Sequence, residues 1–167
     1  MENKKIAVFP GSFDPLTIGH KSIVLRALTL FDEIVVLIGI NPTKKPMFSL
    51  EQRIEWCTAA FKDYTNVKVC MFNGLTIDFC KSIGAKYIIR GLRGSNDFEY
   101  ENMINHANKI MCGKDNTIET IYFITDNEYV GISSSVVREI YKHNGDISSL
   151  VPIGVNLPKK EKTFENF

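Results

Sequence analysis

Five short apolar runs punctuate this chain: Ile6 to Phe9, Ile34 to Ile40, Val67 to Phe72, Tyr87 to Ile89 and Ile121 to Ile124. Each has the length of a buried strand, and the segments between them repeat their apolar residues with a helical period. Ile23, Val24, Ala27, Leu28 and Phe31 fall on one helical face. Ser49 and Gln52 form a capping box ahead of Ile54, Cys57, Thr58 and Phe61. Leu75, Phe79 and Ile83 mark a third helix that Gly84 ends, and a fourth is expected from about Asp97 to Met111, ahead of Gly113. A fifth should run from Ser133 to Lys142, with Gly145 beyond its end. Strands alternating with helices imply an α/β fold, a doubly wound, Rossmann-like and mainly five-stranded parallel sheet with helices on both faces.

No repeat, low-complexity stretch or linker divides the 167 residues, so a single domain is expected over 1–167. Its core should span about 5–152, and the charged tail over 153–167 is left unassigned. Lysine plus arginine number 20 against 19 acids, a balance unlike that of a nucleic-acid binder. Any cations that handle phosphate must therefore be placed locally. Cys57, Cys70, Cys80 and Cys112 lack metal-site spacing and are expected as free thiols, mostly buried. The apolar run before Pro10 is too short for a signal peptide, and no stretch approaches the ~20 apolar residues that span a bilayer. A soluble, cytoplasmic protein with no membrane partner is expected.

In open α/β sheets ligands bind beyond the carboxyl ends of the strands, and four loops there carry anion chemistry. The first, PGSFDPLTIGH, runs from Pro10 to His20. Gly11 permits a tight turn and close backbone approach, and Gly19 and His20 open a helix whose N-terminus favours phosphate. His20 there suits stabilisation of charge developing on a phosphate. The same residues also make a plain turn with a polar helix start, and alone they do not separate the two readings. The second loop holds Lys44 and Lys45 between Pro42 and Pro46; it is either a stiffened phosphate clamp or a solvated turn. In the third, Arg90 and Arg93 flank Gly91 and suit bidentate phosphate contacts. Asp97, Glu99 and Glu101 follow, mainly as complements to a helix dipole. The fourth places Ser133, Ser134 and Ser135 after Gly131: one is an N-cap, and the three together would make an anion cradle. GxxxxGKS/T and GxGxxG are both absent.

Together GSFDPLTIGH, KKPMF, IIRGLR, DFEYE and GISSS, in this order and spacing, resemble the bacterial phosphopantetheine adenylyltransferase family over about Ile6 to Pro152. The TxGH form at Thr17 to His20 is the broader signature of the nucleotidyltransferase α/β superfamily; KKPMF, IRGLR and ISSS narrow it to this family. The resemblance implies reversible adenylyl transfer from ATP to 4′-phosphopantetheine, giving dephospho-coenzyme A and pyrophosphate with Mg²⁺ assisting. It implies direct attack by the acceptor phosphate, with no protein nucleophile.

Carried onto this sequence, the resemblance makes His20 the transition-state stabiliser and places Lys44 near the reacting phosphate. Ser12 would contact both substrates, and Lys44, Thr76 and Arg90 the phosphopantetheine. Phe13, Gly91, Leu92, Arg93 and Glu101 would serve ATP beside His20. Tyr129, Val130, Gly131, Ile132, Ser133, Ser134 and Ser135 would form a loop closing on the nucleotide. No metal-ligating residue is assigned; the direct ligands stay open, with ATP oxygens and water as the main candidates for holding Mg²⁺. A homohexamer and feedback by coenzyme A are further implications. The connection from Cys112 to Thr117 is slightly longer than in relatives, and the tail after Pro152 matches nothing. Two rivals remain: another TxGH nucleotidyltransferase, acting on a nicotinamide nucleotide or transferring a cytidylyl group, and a non-catalytic nucleotide sensor.

Overall fold

The computed structural model describes residues 4–40, 45–113 and 118–158. Five strands, β1 (Ile6–Gly11), β2 (Glu33–Gly39), β3 (Val67–Phe72), β4 (Tyr87–Leu92) and β5 (Glu119–Ile124), form one sheet in the order β3-β2-β1-β4-β5. Every pairing is parallel. The intervening helices are α1 (Ile18–Ala27), α2 (Leu50–Phe61), α3 (Thr76–Ile83), α4 (Ser95–Cys112) and α5 (Ser134–Lys142), with a short 3₁₀ turn at Asn127–Tyr129. This is the expected open, doubly wound sheet.

Strand alternation explains why both faces need cover. Ala7, Phe9, Ile34, Val36 and Ile38 pack towards α1, α2 and α5, meeting Val24, Trp56, Cys57 and Val137. Val8, Val35, Leu37 and Ile88 pack the other way, towards Ile77, Phe79 and Cys80 of α3 and Ile118. The core reaches past the expected limit of 152, because Val155 is buried and the Tyr141 hydroxyl donates to the Pro158 carbonyl at 2.9 Å. All four cysteines are free, Cys57 and Cys80 buried and Cys70 and Cys112 partly so. Among the described residues no helix is long and apolar enough to cross a membrane.

Element boundaries differ modestly from expectation, each for a local reason. The strand expected to end at Phe9 continues through Pro10 and Gly11 against β2, with Pro10 opposite Leu37. The Pro10 carbonyl also accepts from Arg90 Nη1 at 3.4 Å. The helix expected from Asp97 begins at Ser95, and the Asp97 carboxylate reaches back to the Arg93 amide at 3.1 Å. Of the long connection from Cys112 to Thr117, residues 114–117 lie outside the described part.

The sheet also opens where its order reverses. β1 pairs β2 through six residues but pairs β4 only at Ala7 with Tyr87 and Val8 with Ile88. Beyond that point β1 and β4 diverge, and their carboxyl ends frame a crevice at the topological switch point.

Candidate active site

A cavity of about 830 Å³ fills that crevice, lined from β1, β4, α1 and the first turn of α5. Lys45, Arg53, Arg90, Arg93 and Arg138 line it against two acids, Asp14 and Glu101. Both acids are already paired: Asp14 with Arg138 at 3.7 Å and Glu101 with Arg90 at 3.1 Å. A chain of near-neutral total charge thus concentrates cations at one sheet edge, which suits a polyphosphate.

The β1–α1 loop builds the floor. Thr17 caps α1, and His20 is the third residue of the helix. The pair forms a reciprocal capping box: the His20 amide approaches Thr17 Oγ1 at 3.4 Å, and the Thr17 amide donates to His20 Nδ1 at 3.1 Å. Thr17 Oγ1 also lies 2.9 Å from Nδ1. An imidazole nitrogen that accepts an amide hydrogen carries no proton, so a neutral His20 is protonated on Nε2. Burial of the ring, followed by the Arg93 charge, pulls its pKa from 6.5 down to about 4. His20 is therefore a neutral, oriented N–H donor at physiological pH. Phe13, 2% exposed, supports the ring edge-on at a centroid distance of 5.3 Å, and Phe9 lies 6.2 Å away.

Gly11 and Gly19 serve packing as well as approach to a ligand. A Cβ on Gly11 would lie 2.8 Å from Phe13 Cζ, and one on Gly19 would touch Tyr129 Cβ at 3.4 Å. The structural need at Gly11 is thus room for the ring behind His20. Gly91 has a parallel need, since a Cβ there would overlap Ile23 Cδ1 of α1.

On β4, Glu101 holds Arg90 by its Nε while Nη1 spans the split to Pro10. Asp97 holds Arg93 through Nε at 3.0 Å and Nη2 at 3.3 Å. Helix-dipole complementarity therefore does not exhaust the role of these acids; each orients an arginine beside the cavity. The serine run divides its labour. Ser133 caps α5 by accepting the Val136 amide, Ser134 Oγ donates to the Pro15 carbonyl at 2.9 Å, and Ser135 Oγ accepts from Arg138 Nη2 at 3.0 Å.

The structure gathers most predicted site residues around one space. Ser12, Phe13, His20, Arg90, Gly91 and Arg93 line it, as do Glu101, Ile132, Ser133, Ser134 and Ser135. Leu92, Tyr129, Val130 and Gly131 are not part of this lining, and Leu92 is buried. Thr76, the first residue of α3, is not part of it. Lys44 lies outside the described residues, while its neighbour Lys45 lines the cavity.

Comparison of the whole chain with known proteins gives its family. A family model described as cytidylyltransferase-like matches residues 8–140. A phosphopantetheine adenylyltransferase from Flavobacterium psychrophilum is 49% identical over 151 residues, covering 90% of this chain and 97% of that protein. The chain belongs to the phosphopantetheine adenylyltransferase family. A relative of the same name from Lachnoclostridium phytofermentans is 46% identical, covering 89% of each chain. A solved Vibrio parahaemolyticus structure, provisionally named a nicotinate-nucleotide adenylyltransferase, aligns at a TM-score of 0.63 with 22% identity. It covers 92% of this chain and 96% of its own, and at that identity it speaks for the fold alone.

Within this family frame, sequence reasoning overlooked Asp14, Arg53, Thr125 and Arg138, all of which line the cavity. Asp14 is 5% exposed, and its carboxylate accepts the Met47 amide at 2.9 Å and the Phe48 amide at 2.9 Å. Arg53, also 5% exposed, donates to the Ser12 carbonyl at 2.9 Å. An arginine in the middle of an otherwise amphipathic helix was the available signal for Arg53; helical periodicity gave Arg138 no distinction from a surface residue.

Proposed function

We propose that this protein transfers the adenylyl group of ATP to 4′-phosphopantetheine, reversibly giving dephospho-coenzyme A and pyrophosphate. An oxygen of the acceptor phosphate attacks the α-phosphorus. The bond from that phosphorus to the bridging oxygen breaks, and pyrophosphate leaves with the electron pair. The acceptor is already ionised, so no general base is required. The protein's part is alignment and stabilisation of charge.

The observation that carries this reading is the fixed donor geometry of His20. Thr17 occupies Nδ1, so Nε2–H remains for a phosphate oxygen, and Arg90 and Arg93 stand on the facing strand end. The N-termini of α1 and α5 add backbone donors at the same rim. In this assignment Ser12 lies between both substrates, and Lys44, Thr76 and Arg90 take the acceptor. Phe13, Gly91, Leu92, Arg93, Glu101 and the stretch 129–135 serve ATP. Phe13 would contribute backbone rather than its buried ring.

Among the described residues no group of three or more His, Cys, Asp or Glu could hold a metal, and Asp97 and Glu101 are committed to arginines. The cavity's own acids, Asp14 and Glu101, are likewise engaged by arginines, and neither is assigned as a magnesium ligand. Mg²⁺ would enter with ATP, ligated by phosphate oxygens and water, and no step above is routed through it.

We also take residues 1–167 as one catalytic domain that works in the cytoplasm. Assembly as a homohexamer fits α4, which has no buried residue and exposes Phe98, Tyr100, Met103 and Ile110. Coenzyme A, which shares its phosphopantetheine portion with the acceptor, fits as a feedback inhibitor at the same site.

The test supplies purified protein with ATP, Mg²⁺ and a panel of phosphorylated acceptors. Pyrophosphate release with phosphopantetheine is expected. Release with nicotinate or nicotinamide mononucleotide instead would reassign the substrate, and ATP binding without any turnover would favour a sensor.

A further inference from the structure

The buried Asp14 joins three elements that border the cavity. It sits in the β1–α1 loop, six residues before His20. Its two carboxylate oxygens separately accept the Met47 and Phe48 amides of the segment after β2. From α5, Arg138 donates to the Asp14 carbonyl at 2.7 Å and lies 3.7 Å from its Oδ2. Phe48 is in turn locked by Trp56 at 4.9 Å and Tyr141 at 5.5 Å. Arg53 makes a second tie between the same elements, donating to the Ser12 and Ser49 carbonyls. The segment so anchored carries Lys45 at the cavity wall, and Lys44 stands three residues before Met47.

Both hydrogen bonds to its carboxylate come from the lysine-bearing segment, and α5 adds an ion pair to the same group; hydrogen bonds to an ionised acceptor are strong and directional. We infer that Asp14 is a positioning residue for the acceptor: it clasps the segment after β2 against the β1–α1 loop and thereby sets Lys45 at the cavity wall where the acceptor phosphate would lie. The inference rests on the phosphopantetheine reading for the identity of the acceptor, but the clasp itself does not.

Asp14→Asn is isosteric. It keeps one acceptor for one amide and turns an NH₂ towards the other, so one arm of the clasp is lost and one N–H faces another. The expected result is a rise in KM for phosphopantetheine of about tenfold, the factor that ~1.4 kcal/mol of lost positioning produces. KM and Kd for ATP should change by less, within about twofold, since neither the Thr17–His20 box nor the Arg93–Asp97 pair involves the Asp14 side chain. Arg138→Gln, which leaves both amide bonds to Asp14, should shift the acceptor KM in the same direction by less.

A second readout needs no acceptor at all. Trp56 is the only tryptophan in the chain, is 4% exposed and packs on Phe48. Acrylamide should quench its fluorescence more readily in folded Asp14→Asn than in the parent protein. Failure of the parent to use phosphopantetheine would overturn the functional reading and leave the quenching result to decide the clasp. Unchanged quenching, or a proportionate rise in both substrates' KM values, would overturn the clasp.

Discussion

Replacing His20 by alanine removes two contributions that the structure keeps apart. The first is the Nε2–H donor directed into the cavity. Loss of one such preorganised donor to developing charge costs ~10²–10³ in kcat, about 3–4 kcal/mol. The second is the acceptor for the Thr17 amide, in a residue only 1% exposed. Loss of half a capping box there should cost about 1 kcal/mol of stability and lower Tm by about 2–4 °C. His20→Gln separates them, because glutamine at the third helical position restores the capping acceptor as Gln52 does for Ser49. Initial-rate kinetics and thermal melts of both variants read the two terms. His20→Ala should lose kcat with little change in either KM, and His20→Gln should recover Tm but not kcat. Full recovery of kcat in His20→Gln would show that the glutamine NH₂ serves as donor in place of Nε2–H and would refute a requirement for the imidazole. A loss confined to KM would place its effect in the ground state and refute the transition-state role.

Three other consequences are open to direct measurement. Because the folded pKa of His20, about 4, lies below the unfolded value of about 6.5, the unfolded chain binds more protons between them. This group's contribution to stability is full above pH 6.5 and lost as pH falls towards 4, by at most about 3 kcal/mol. Urea titrations at pH 7 and 4.5 should show that decline in the parent and a shallower one in His20→Gln. Gly91→Ala drives a methyl into Ile23 Cδ1; it should destabilise the fold by about 1–3 kcal/mol, and an unchanged melting temperature would contradict the close packing of β4 on α1. Burial pushes the Cys57 and Cys80 thiols up to about 12, so iodoacetamide at pH 8 should spare both in the native protein, as peptide mapping would show. Rapid labelling of either would contradict their placement in the core.

Much of this fold was legible because its signals are local. Strand-length apolar runs at Ile34 to Ile40 and Val67 to Phe72, and the Ser49–Gln52 capping box, act within a few residues of themselves. The strand-end rule then placed the loops carrying Ser12, His20, Arg90 and Ser133 at one edge before any geometry was known. What escaped depends on pairing across the fold. Asp14 reads as turn chemistry until the amides of Met47 and Phe48 are found against it. Glu101 reads as a dipole complement until Arg90 is found 3.1 Å away. The need for glycine at position 91 comes from Ile23, 68 residues earlier in the chain. The Thr17–His20 box was hidden differently, since histidine stands where glutamate or glutamine usually completes the pattern.

The central claim is that the site aligns and stabilises without taking the adenylyl group itself, and its most direct test is stereochemical. ATP bearing sulfur in place of one defined α-phosphate oxygen, incubated with phosphopantetheine and the full chain, yields a dephospho-coenzyme A analogue chiral at phosphorus. A single in-line displacement predicts inversion at that centre. Retention would require a covalent adenylyl-protein intermediate and would contradict the account.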